Sequence, residues 1–413
     1  MAFGQQEFPM IEKPMSLDTL AVHAGREDLY ELGVHALPID LSSTYPIKDL
    51  ARGGDSLVAM AMGGEDKENP IYARLYNPTV GRFEEALASL EGAEQAVAFA
   101  TGMAALTAVL MAARQRGNHI IAVRPMYGGS DHLLSSGLLG LEVSWVEPEG
   151  IRAAIRPDTA MVLIETPANP TMNLIDIADV VAQAGSVPVM VDSTFATPVL
   201  QKPLEYGATL VLHSATKFLG GHGDVIAGIV ATNAEWATEL RKVRVITGNI
   251  LHPLAAYLLH RGLPTLPLRV RAAQEGAKKI VEKLLTHPAV KAVHYPGLKA
   301  CDPKGLVGTQ MKGPGSLIAF EVDNFGMASE VMQAVKIMVP AVSLGSVDTL
   351  IQHPAGLTHK VVDPEARAKA GISEGLMRLS VGLEDPEDLW ADLEQALAKA
   401  MAKVALAHPI RMV

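Results

Sequence analysis

Cysteine is almost absent from this sequence. Cys301 is the only one among 413 residues, which excludes an intramolecular disulfide framework and any metal site built from several cysteines. A single cysteine can act as a nucleophile, but Cys301 stands in a segment rich in glycine, proline and lysine, residues 297–308, without catalytic-looking neighbours. We therefore interpret Cys301 as a bystander thiol, and we expect no metal centre.

Signatures of nucleic-acid binding and of membrane insertion are also missing. The 45 acidic residues outnumber the 35 lysines and arginines, and the formal net charge of -10 is not concentrated in one block, so we expect no nucleic-acid partner. The longest apolar stretches, such as residues 103–113, are too short to span a membrane. Residues 1–14 lack the apolar run of a signal peptide. We expect a cytoplasmic protein without a membrane segment.

Apolar residues make up 49% of the chain, which is enough for a large core in more than one domain. Residues 1–68 lack sustained periodicity and are predicted to form an N-terminal arm. Residues 69–262 alternate short apolar segments with helical ones, which predicts an α/β domain with a mostly parallel sheet and helices on both faces. Residues 263–413 combine long helices with fewer strands, which predicts a smaller C-terminal α/β domain.

Individual elements can be assigned from these patterns. Thr79 is predicted to cap a helix that runs to Glu91 and ends at Gly92. The other predicted helices are residues 103–116, 270–285 and 387–407. The predicted strands are residues 95–100, 119–124, 142–146, 161–165, 187–192, 209–213, 290–294 and 316–322.

Polar residues follow two of these strands, at the sheet edge where ligands bind in such folds. Asp192 ends one apolar strand, and Lys217 follows the next strand, 25 residues later. An aldehyde cofactor needs a lysine for a Schiff base, and a pyridine nitrogen needs a carboxylate to stay protonated. Ser214 and Thr216 bracket the lysine with hydroxyls that suit a phosphate. Either charged residue alone is better read as an ordinary strand-end aspartate or surface lysine, but the bracketed pair favours the cofactor.

A second phosphate signal lies at residues 100–105, between a predicted strand and a predicted helix. A small turn containing Gly102 exposes backbone N–H groups to an anion, with help from the helix dipole. The alternative is a simple strand-to-helix turn, which many α/β proteins contain. This segment therefore supports the cofactor only together with the others.

At this level of detail the chain resembles the Cys/Met-metabolism family of pyridoxal 5′-phosphate (PLP) enzymes, which includes methionine γ-lyase, cystathionine γ-lyase, cystathionine γ-synthase and O-acetylhomoserine sulfhydrylase. The resemblance runs in order from about Leu17 to Leu393. It rests on residues 72–79, 101–103, 127–129, 165–170, 192–198, 214–217, 220–224, 343–345, 353–354, 358–359 and 378–382. The resemblance implies an aspartate-aminotransferase-like fold (fold type I), with PLP as cofactor.

The resemblance also implies roles around the cofactor ring. Lys217 would bond to the cofactor and then shuttle protons, and Asp192 would pair with the pyridine nitrogen. Tyr127 would stack on the ring and protonate the leaving sulfur, while Asn169 would reach the ring hydroxyl. The phosphate would be held within one subunit by Gly102, Met103, Ser214 and Thr216.

Two further implications concern the partner subunit and the substrate. Tyr72 and Arg74 would reach the phosphate of a neighbouring subunit, so the active unit would be a homodimer, assembled into a homotetramer. Arg378 would bind the carboxylate of a sulfur-containing amino acid, with Ser343 nearby. Without the resemblance, Arg378 would be read as a surface arginine.

The sequence leaves the exact reaction open. Val342 stands where cystathionine-specific members usually carry a glutamate, which favours γ-elimination from methionine or homocysteine to give 2-oxobutyrate, ammonia and a thiol. Gly129 stands where methionine γ-lyases typically have a cysteine, and residues 243–247 lack a Lys-Asp pair usual in that enzyme. Cystathionine γ-lyase activity and γ-replacement, as in cystathionine γ-synthase or O-acylhomoserine sulfhydrylase, are therefore the alternatives. A non-enzymatic alternative is a regulator that has this fold but no catalytic activity.

Overall fold

The computed structural model describes residues 15–407, with side chains described to residue 403. Its α-helices in this range are α1 (Leu17–His23), α2 (Leu50–Ala61), α3 (Pro78–Glu91), α4 (Gly102–Ala113), α5 (Gly128–Ser135), α6 (Ile151–Ala154), α7 (Ile177–Ala184), α8 (Thr197–Leu200), α9 (Ala234–Thr247), α10 (Pro253–Gly262), α11 (Leu266–Leu284), α12 (Phe325–Ala334), α13 (Pro364–Lys369) and α14 (Pro386–Ala407). The strands are β1 (Gln95–Phe99), β2 (His119–Val123), β3 (Glu142–Val146), β4 (Thr159–Glu165), β5 (Val189–Asp192), β6 (Leu210–His213), β7 (Gly228–Thr232), β8 (Ala292–His294), β9 (Leu317–Glu321), β10 (Val339–Pro340), β11 (Leu350–Gln352) and β12 (Leu376–Ser380).

The larger sheet has seven strands in the order β1-β7-β6-β5-β4-β2-β3. Only β7 runs against its neighbours, so the other six strands share one direction. Successive side chains point to opposite faces of a strand; Val97 and Phe99 pack towards α4 and α9, and Ala96 and Ala98 towards α3. Burial on both faces explains why these strands are apolar throughout.

A second sheet has five strands in the order β10-β11-β12-β9-β8. Its core is shared with α11, α12 and α14. The larger sheet ends in the chain at Thr232, and the second sheet begins at Ala292. The boundaries at 68/69 and 262/263 themselves stay a prediction, and residues 1–14 and 408–413 of the predicted units lie outside the described residues.

Two predictions about elements need correction. Asn77, and not Thr79, caps α3, because its side chain accepts from the backbone N–H groups of Thr79 at 3.0 Å and Val80 at 3.2 Å. Pro78 then occupies the first helical position, where its missing N–H costs nothing. Gly92 ends the helix at φ 71°, as predicted. Four strands were missed from the sequence: β7, β10, β11 and β12.

The segment predicted as an arm contains two helices, α1 and α2. The first packs against α3 and α11, whereas α2 leaves Leu50, Val58 and other large apolar side chains exposed. No helix within residues 15–407 is long and apolar enough to cross a bilayer. The cytoplasmic location stays a prediction.

Candidate active site

The strands β4, β5 and β6 end at one edge of the larger sheet, and a cavity of about 550 Å³ lies there. It brings together Lys217, which follows β6, and Asp192, the last residue of β5. Of the sequence-predicted site residues, those lining the cavity are Gly102, Met103, Tyr127, Asn169, Asp192, Ser214, Thr216, Lys217, Val342, Ser343 and Arg378. Tyr72 and Arg74 are not among its lining residues.

Lys217 is held in the cavity by Ser343. The lysine Nζ donates to the Ser343 Oγ at 2.6 Å. Burial lowers the pKa of Lys217 to about 8, and the positive charge of Arg378 acts in the same direction. An appreciable fraction of this amine is therefore neutral near pH 7 to 8, which is the form that attacks an aldehyde or accepts a proton.

Ser343 adopts a conformation that is uncommon for a residue with a side chain. Its φ is 91°, in a region where such residues are strained and persist only when the surroundings fix them. Two contacts do so here: the Oγ accepts from Lys217, and the carbonyl oxygen accepts from the Arg378 Nη2 at 2.7 Å. Ser343 thus connects Lys217 to Arg378 through two hydrogen bonds.

Arg378 is a buried cation whose acceptors are uncharged. Its side chain comes from β12 and is only 2% exposed. The Nη1 donates to the Asn169 Oδ1 at 2.7 Å, and the Gln352 amide, oriented with its oxygen towards the guanidinium, accepts at 2.8–3.1 Å. Burial lowers the pKa of Arg378, and the Glu165 carboxylate opposes this shift. A guanidinium without a carboxylate partner is well suited to bind one from a ligand.

Two carboxylates stand side by side on β4 and β5, Glu165 buried and Asp192 partly buried. Asp192 pairs with Glu165 in the strand register. The Asp192 Oδ1 accepts from the Thr194 N–H at 3.0 Å and from the Thr194 hydroxyl at 2.6 Å, and these bonds orient the carboxylate. Burial raises the pKa of Asp192, and Thr194 opposes the shift. The Asp192 Oδ2 accepts no hydrogen bond from the described residues.

Glu165 was part of a matching segment but had no role assigned from the sequence. Its two oxygens accept from the backbone N–H groups of Tyr127 at 2.8 Å and Asn169 at 2.7 Å. Burial raises the pKa of Glu165 well above its ordinary value, and the charge of Asp192 adds to the shift. Glu165 therefore fixes the backbone of two residues that line the cavity. No feature of the sequence pattern predicted this role.

The N-terminus of α4 lies at the cavity, where the sequence predicts a phosphate site. The Thr101 side chain caps the helix by accepting from the Ala104 N–H at 2.9 Å, and Gly102 and Met103 begin the first turn. A Cβ on Gly102 would lie 3.0 Å from both the Cβ and the Oγ of Ser214, so glycine allows these two segments to approach. Free N–H groups and a helix dipole favour a phosphate at this position.

Thr216 lines the same cavity, but its hydroxyl is already engaged. It donates to the Ala227 carbonyl at 3.1 Å and accepts from the Ala227 N–H at 3.0 Å. Its predicted role in phosphate binding, like the other residue roles, stays a prediction.

These residues fit PLP. Lys217 supplies an amine with a lowered pKa, and the Asp192 Oδ2 can accept from a protonated ring nitrogen. The α4 N-terminus with Ser214 supplies donors for a phosphate. Among the described residues, no group of three or more His, Cys, Asp or Glu side chains could hold a metal ion.

Gly129 determines where the Tyr127 ring can lie. A Cβ at position 129 would lie 2.6 Å from the Tyr127 Cε1 and 3.3 Å from the Met103 Sδ. A cysteine at this position would therefore require the ring to move. The glycine noted in the sequence allows the observed position of Tyr127 beside the cavity.

The mouth of the cavity is apolar. Val342 is joined there by Ile226 and Leu357, and all three side chains are substantially exposed. We call these three residues the apolar rim. Ile226 and Leu357 were missed from the sequence, because Ile226 lies in a loop 116 residues before Val342 and Leu357 in a loop 15 residues after it. The carboxylates among the lining residues are Glu165 and Asp192, both at the strand ends.

Tyr72 and Arg74 form a unit of their own outside the cavity. The Arg74 Nη1 donates to the Val245 carbonyl at 2.8 Å, and its guanidinium lies 5.5 Å from the centre of the Tyr72 ring. The Tyr72 side chain is exposed. The predicted contact with a neighbouring subunit stays a prediction.

Comparison with known proteins identifies the family of this chain. The family model described as "Cys/Met metabolism PLP-dependent enzyme" matches residues 18–398. The chain is 57% identical over 389 residues to an L-methionine gamma-lyase of Brevibacterium aurantiacum, covering 93% of this chain and 95% of the relative. It is 56% identical over 384 residues to an L-methionine gamma-lyase of Streptomyces avermitilis, covering 92% and 89%.

Solved structures from two cystathionine enzymes are also similar. A cystathionine gamma synthase from Xanthomonas oryzae pv. oryzae superposes with a TM-score of 0.87 at 37% identity, covering 94% of this chain and 100% of that one. A cystathionine gamma-lyase from Lactobacillus plantarum gives a TM-score of 0.85 at 34% identity, with coverage of 94% and 100%.

Proposed function

Because the chain belongs to the Cys/Met metabolism PLP-dependent enzyme family, we propose that it is a carbon–sulfur lyase that catalyses γ-elimination from methionine- and homocysteine-type substrates. The products are 2-oxobutyrate, ammonia and a thiol. The observation that carries this choice within the family is the apolar rim, which offers a thioether alkyl group an apolar contact and offers no charge. The similarity to two L-methionine gamma-lyases at 56–57% identity supports it.

The proposed chemistry divides between cofactor and protein. PLP would be held by Lys217, Asp192 and the α4 N-terminus, and when bound it would supply an electron sink for the pair left when the Cα–H bond breaks. The substrate amino group first displaces Lys217 from the cofactor, which frees the lysine amine. The neutral Lys217 Nζ takes the Cα proton, and the Ser343 Oγ keeps the amine in place. Arg378 binds and orients the substrate carboxylate. Proton transfer by a positioned group of this kind typically contributes about 10²–10⁴-fold.

The remaining steps concern the leaving group. Lys217, once it has passed the first proton on, takes a second proton from Cβ, the Cγ–S bond breaks, and the Tyr127 hydroxyl gives the sulfur its proton. Water completes the balance, since methionine and water together contain the atoms of 2-oxobutyrate, ammonia and methanethiol. Contact between the apolar rim and the methyl group would shield Cγ from other nucleophiles, which favours elimination over replacement.

Cystathionine γ-lyase activity or γ-replacement is the second candidate. The similar solved structures of cystathionine enzymes and the glycine at position 129 favour it. The two candidates differ in products, so the test supplies methionine, homocysteine, cystathionine and O-acylhomoserine with a thiol side by side to the PLP-loaded protein. We expect 2-oxobutyrate and ammonia from methionine and homocysteine. Cystathionine or homocysteine formed from O-acylhomoserine as the dominant product would support replacement instead.

Substitution of Val342 by glutamate tests the apolar rim. The distal ammonium of cystathionine would lose part of its hydration against these apolar side chains without gaining a charged partner, which is unfavourable. We expect the wild-type protein to prefer methionine to cystathionine in kcat/KM, and Val342→Glu to shift that preference towards cystathionine by roughly 10-fold or more, about 1.4 kcal/mol.

The matched control is Val339→Glu, because Val339 is exposed nearby but does not line the cavity. It adds the same charge and should leave the ratio of the two kcat/KM values unchanged. A wild-type preference for cystathionine of about tenfold or more would show that the rim does not select a thioether.

We propose further that the active unit is a homodimer within a homotetramer. The support comes from the segment before the larger sheet, which exposes an unusual number of large apolar side chains: Tyr30, Leu32, Val34, Ile39, Leu41, Ile47, Leu50, Leu57, Val58 and Met62. Exposed large apolar side chains concentrated in one segment are typical of a protein interface. The exposed Tyr72 follows the same segment and can serve a neighbouring cavity.

Mixing two inactive variants tests this arrangement. Arg74→Ala protein has an intact Lys217 in its own cavity but lacks the arginine that its neighbour needs. Lys217→Ala protein has the converse defect, so a hybrid dimer contains one complete site, and activity should partly recover after subunit exchange. Asp192→Ala mixed with Lys217→Ala is the matched control and should not recover, since both residues belong to the same cavity. No recovery for the first pair, despite exchange measured by mass or fluorescence, would exclude shared sites.

We also propose the finer fold assignment, an aspartate-aminotransferase-like fold of type I with the domain boundaries given above. It is supported by a seven-stranded sheet in which β7 alone is antiparallel. The aspartate and the lysine follow adjacent strands of this sheet, β5 and β6.

A further inference from the structure

The turn that carries Tyr127 is held from two sides. On one side its N–H donates to the Glu165 Oε2 at 2.8 Å. On the other side lies the loop after β11: a Cβ on Gly128 would be 2.2 Å from the Thr358 carbonyl oxygen and 3.3 Å from the His359 Cα. The two backbones are therefore in direct contact, and this contact joins the larger sheet's loops to those of the smaller sheet at the cavity.

His359 supplies the polar bond of this second contact. Its side chain is buried, with the Nε2 3.2 Å from the Met126 carbonyl oxygen and the Nδ1 3.0 Å from the Thr358 hydroxyl. A carbonyl only accepts, so the Nε2 carries the hydrogen, and in the neutral ring the Nδ1 then accepts from Thr358. Met126 directly precedes Tyr127, so the bond acts on the peptide unit that leads into the stacking residue.

The protonation state of His359 keeps this arrangement constant. Burial lowers the pKa of His359 to about 4, and the charge of Arg378 acts in the same direction. The Met126 and Asn169 backbones and the Asp131 carboxylate oppose the shift. The ring is therefore neutral throughout the range in which Lys217 can act as a base, and the Nε2–H bond to Met126 persists.

We propose that His359 is a positioning residue for Tyr127: its bond to the Met126 carbonyl, together with the Gly128–Thr358 backbone contact, fixes the Tyr127 ring beside the cofactor site. The inference rests on the proposed function, because it concerns the residue that stacks on the cofactor and protonates the leaving group. His359 itself is absent from the cavity lining, so it acts through the turn. A displacement of about 1 Å at a reacting group can cost about 10²-fold in rate.

The chain contains a matched histidine for comparison. His353 is also buried in the same loop, its Nε2 lies 2.9 Å from the Glu374 carbonyl oxygen, and its Nδ1 accepts from the Gly356 N–H at 2.9 Å. Its ring packs edge-on against Phe325 at 5.2 Å between centroids. His353 thus makes the same number of bonds as His359 but none to the Tyr127 turn.

The experiment compares His359→Leu, His359→Gln and His353→Leu in the PLP-loaded protein. We expect His359→Leu to lower kcat for methionine by about 10- to 100-fold, with a much smaller change in KM, and to weaken the visible circular dichroism of the bound cofactor. His359→Gln keeps a donor where the Nε2 stands and should recover most of both signals. His353→Leu should lower the thermal midpoint without either change.

A double-mutant cycle with Tyr127→Ala separates positioning from general damage. If His359 acts through Tyr127, His359→Leu should have almost no further effect on kcat once the tyrosine side chain is gone. Additive losses, or equal losses of circular dichroism in the His353 and His359 variants, would overturn the inference. If His359→Leu does not fold, Thr358→Val removes the partner of the Nδ1 and should give a smaller change in the same two signals; unchanged signals would count against the proposal.

The outcome also separates this inference from the function on which it rests. A wild-type protein that neither binds PLP nor produces 2-oxobutyrate contradicts the proposed function. A wild-type protein that does both, with unaffected His359 variants, contradicts only the positioning role.

Discussion

Substitution of Lys217 by alanine should reduce turnover by several orders of magnitude. The change removes the amine that bonds to the cofactor and the base that moves the Cα proton, and the second task alone is typically worth about 10²–10⁴-fold. PLP should still bind through Asp192 and the α4 N-terminus. We therefore expect bound PLP in a fluorescence titration, but without the visible absorption band that the lysine gives.

Lys217→Arg is the control for charge at this position. An arginine keeps the positive charge near Ser343 but does not lose its proton in a protein, so it should be as inactive as the alanine variant. Recovery of activity by arginine would indicate that the lysine contributes only a charge. Near-normal turnover of Lys217→Ala would remove the basis for the whole assignment.

The second large effect is expected for Arg378→Leu. The loss of one partner from a buried, hydrogen-bonded charge pair typically costs about 2–5 kcal/mol, which corresponds to a fall of about 30- to 5,000-fold in kcat/KM. Arg378→Lys should recover only part of this, because an ammonium lacks the planar fork that matches a carboxylate. The measurement is kcat/KM for methionine in the three proteins.

Arg378 also holds Asn169 and Ser343, so structural damage must be separated from lost substrate binding. Each buried acceptor left without a donor costs about 1–3 kcal/mol of stability, which the thermal midpoint of the PLP-loaded variants reports. The carboxamide of methionine provides the sharper control, since it lacks the carboxylate. The loss of kcat/KM caused by Arg378→Leu should be clearly smaller for the amide than for methionine, because the amide loses only the support that Arg378 gives to Asn169 and Ser343. An equal loss for acid and amide would mean that Arg378 acts on the fold of the site and not on the substrate.

The sequence predicted the parts of the site that depend on local pattern. Asp192 and Lys217 were recognisable because each follows a strand that is apolar on both faces, and such strands place their carboxyl ends at one edge of a sheet. The strands themselves were readable for the same reason. The resemblance supplied Arg378, whose position on β12 is remote in the chain from the residues it contacts.

Other features depend on contacts that no local pattern encodes. The cap of α3 was assigned to Thr79 because threonine is a good capping residue, but Asn77 before a proline is the better one. The strained φ of Ser343 exists only because Lys217 and Arg378 hold it. The apolar rim and the His359 contact each join loops that are more than 100 residues apart, and only their distances in the fold reveal them.

One measurement tests the central claim most directly. Methionine is given as the sole substrate to the purified, PLP-loaded protein, and 2-oxobutyrate, ammonia and methanethiol are quantified over time beside the Lys217→Ala protein. We predict that the wild-type protein releases the three products in equal amounts and that the variant releases almost none. Absence of all three from the wild-type reaction, in a preparation that converts cystathionine or O-acylhomoserine, would contradict γ-elimination of methionine as the function of this site.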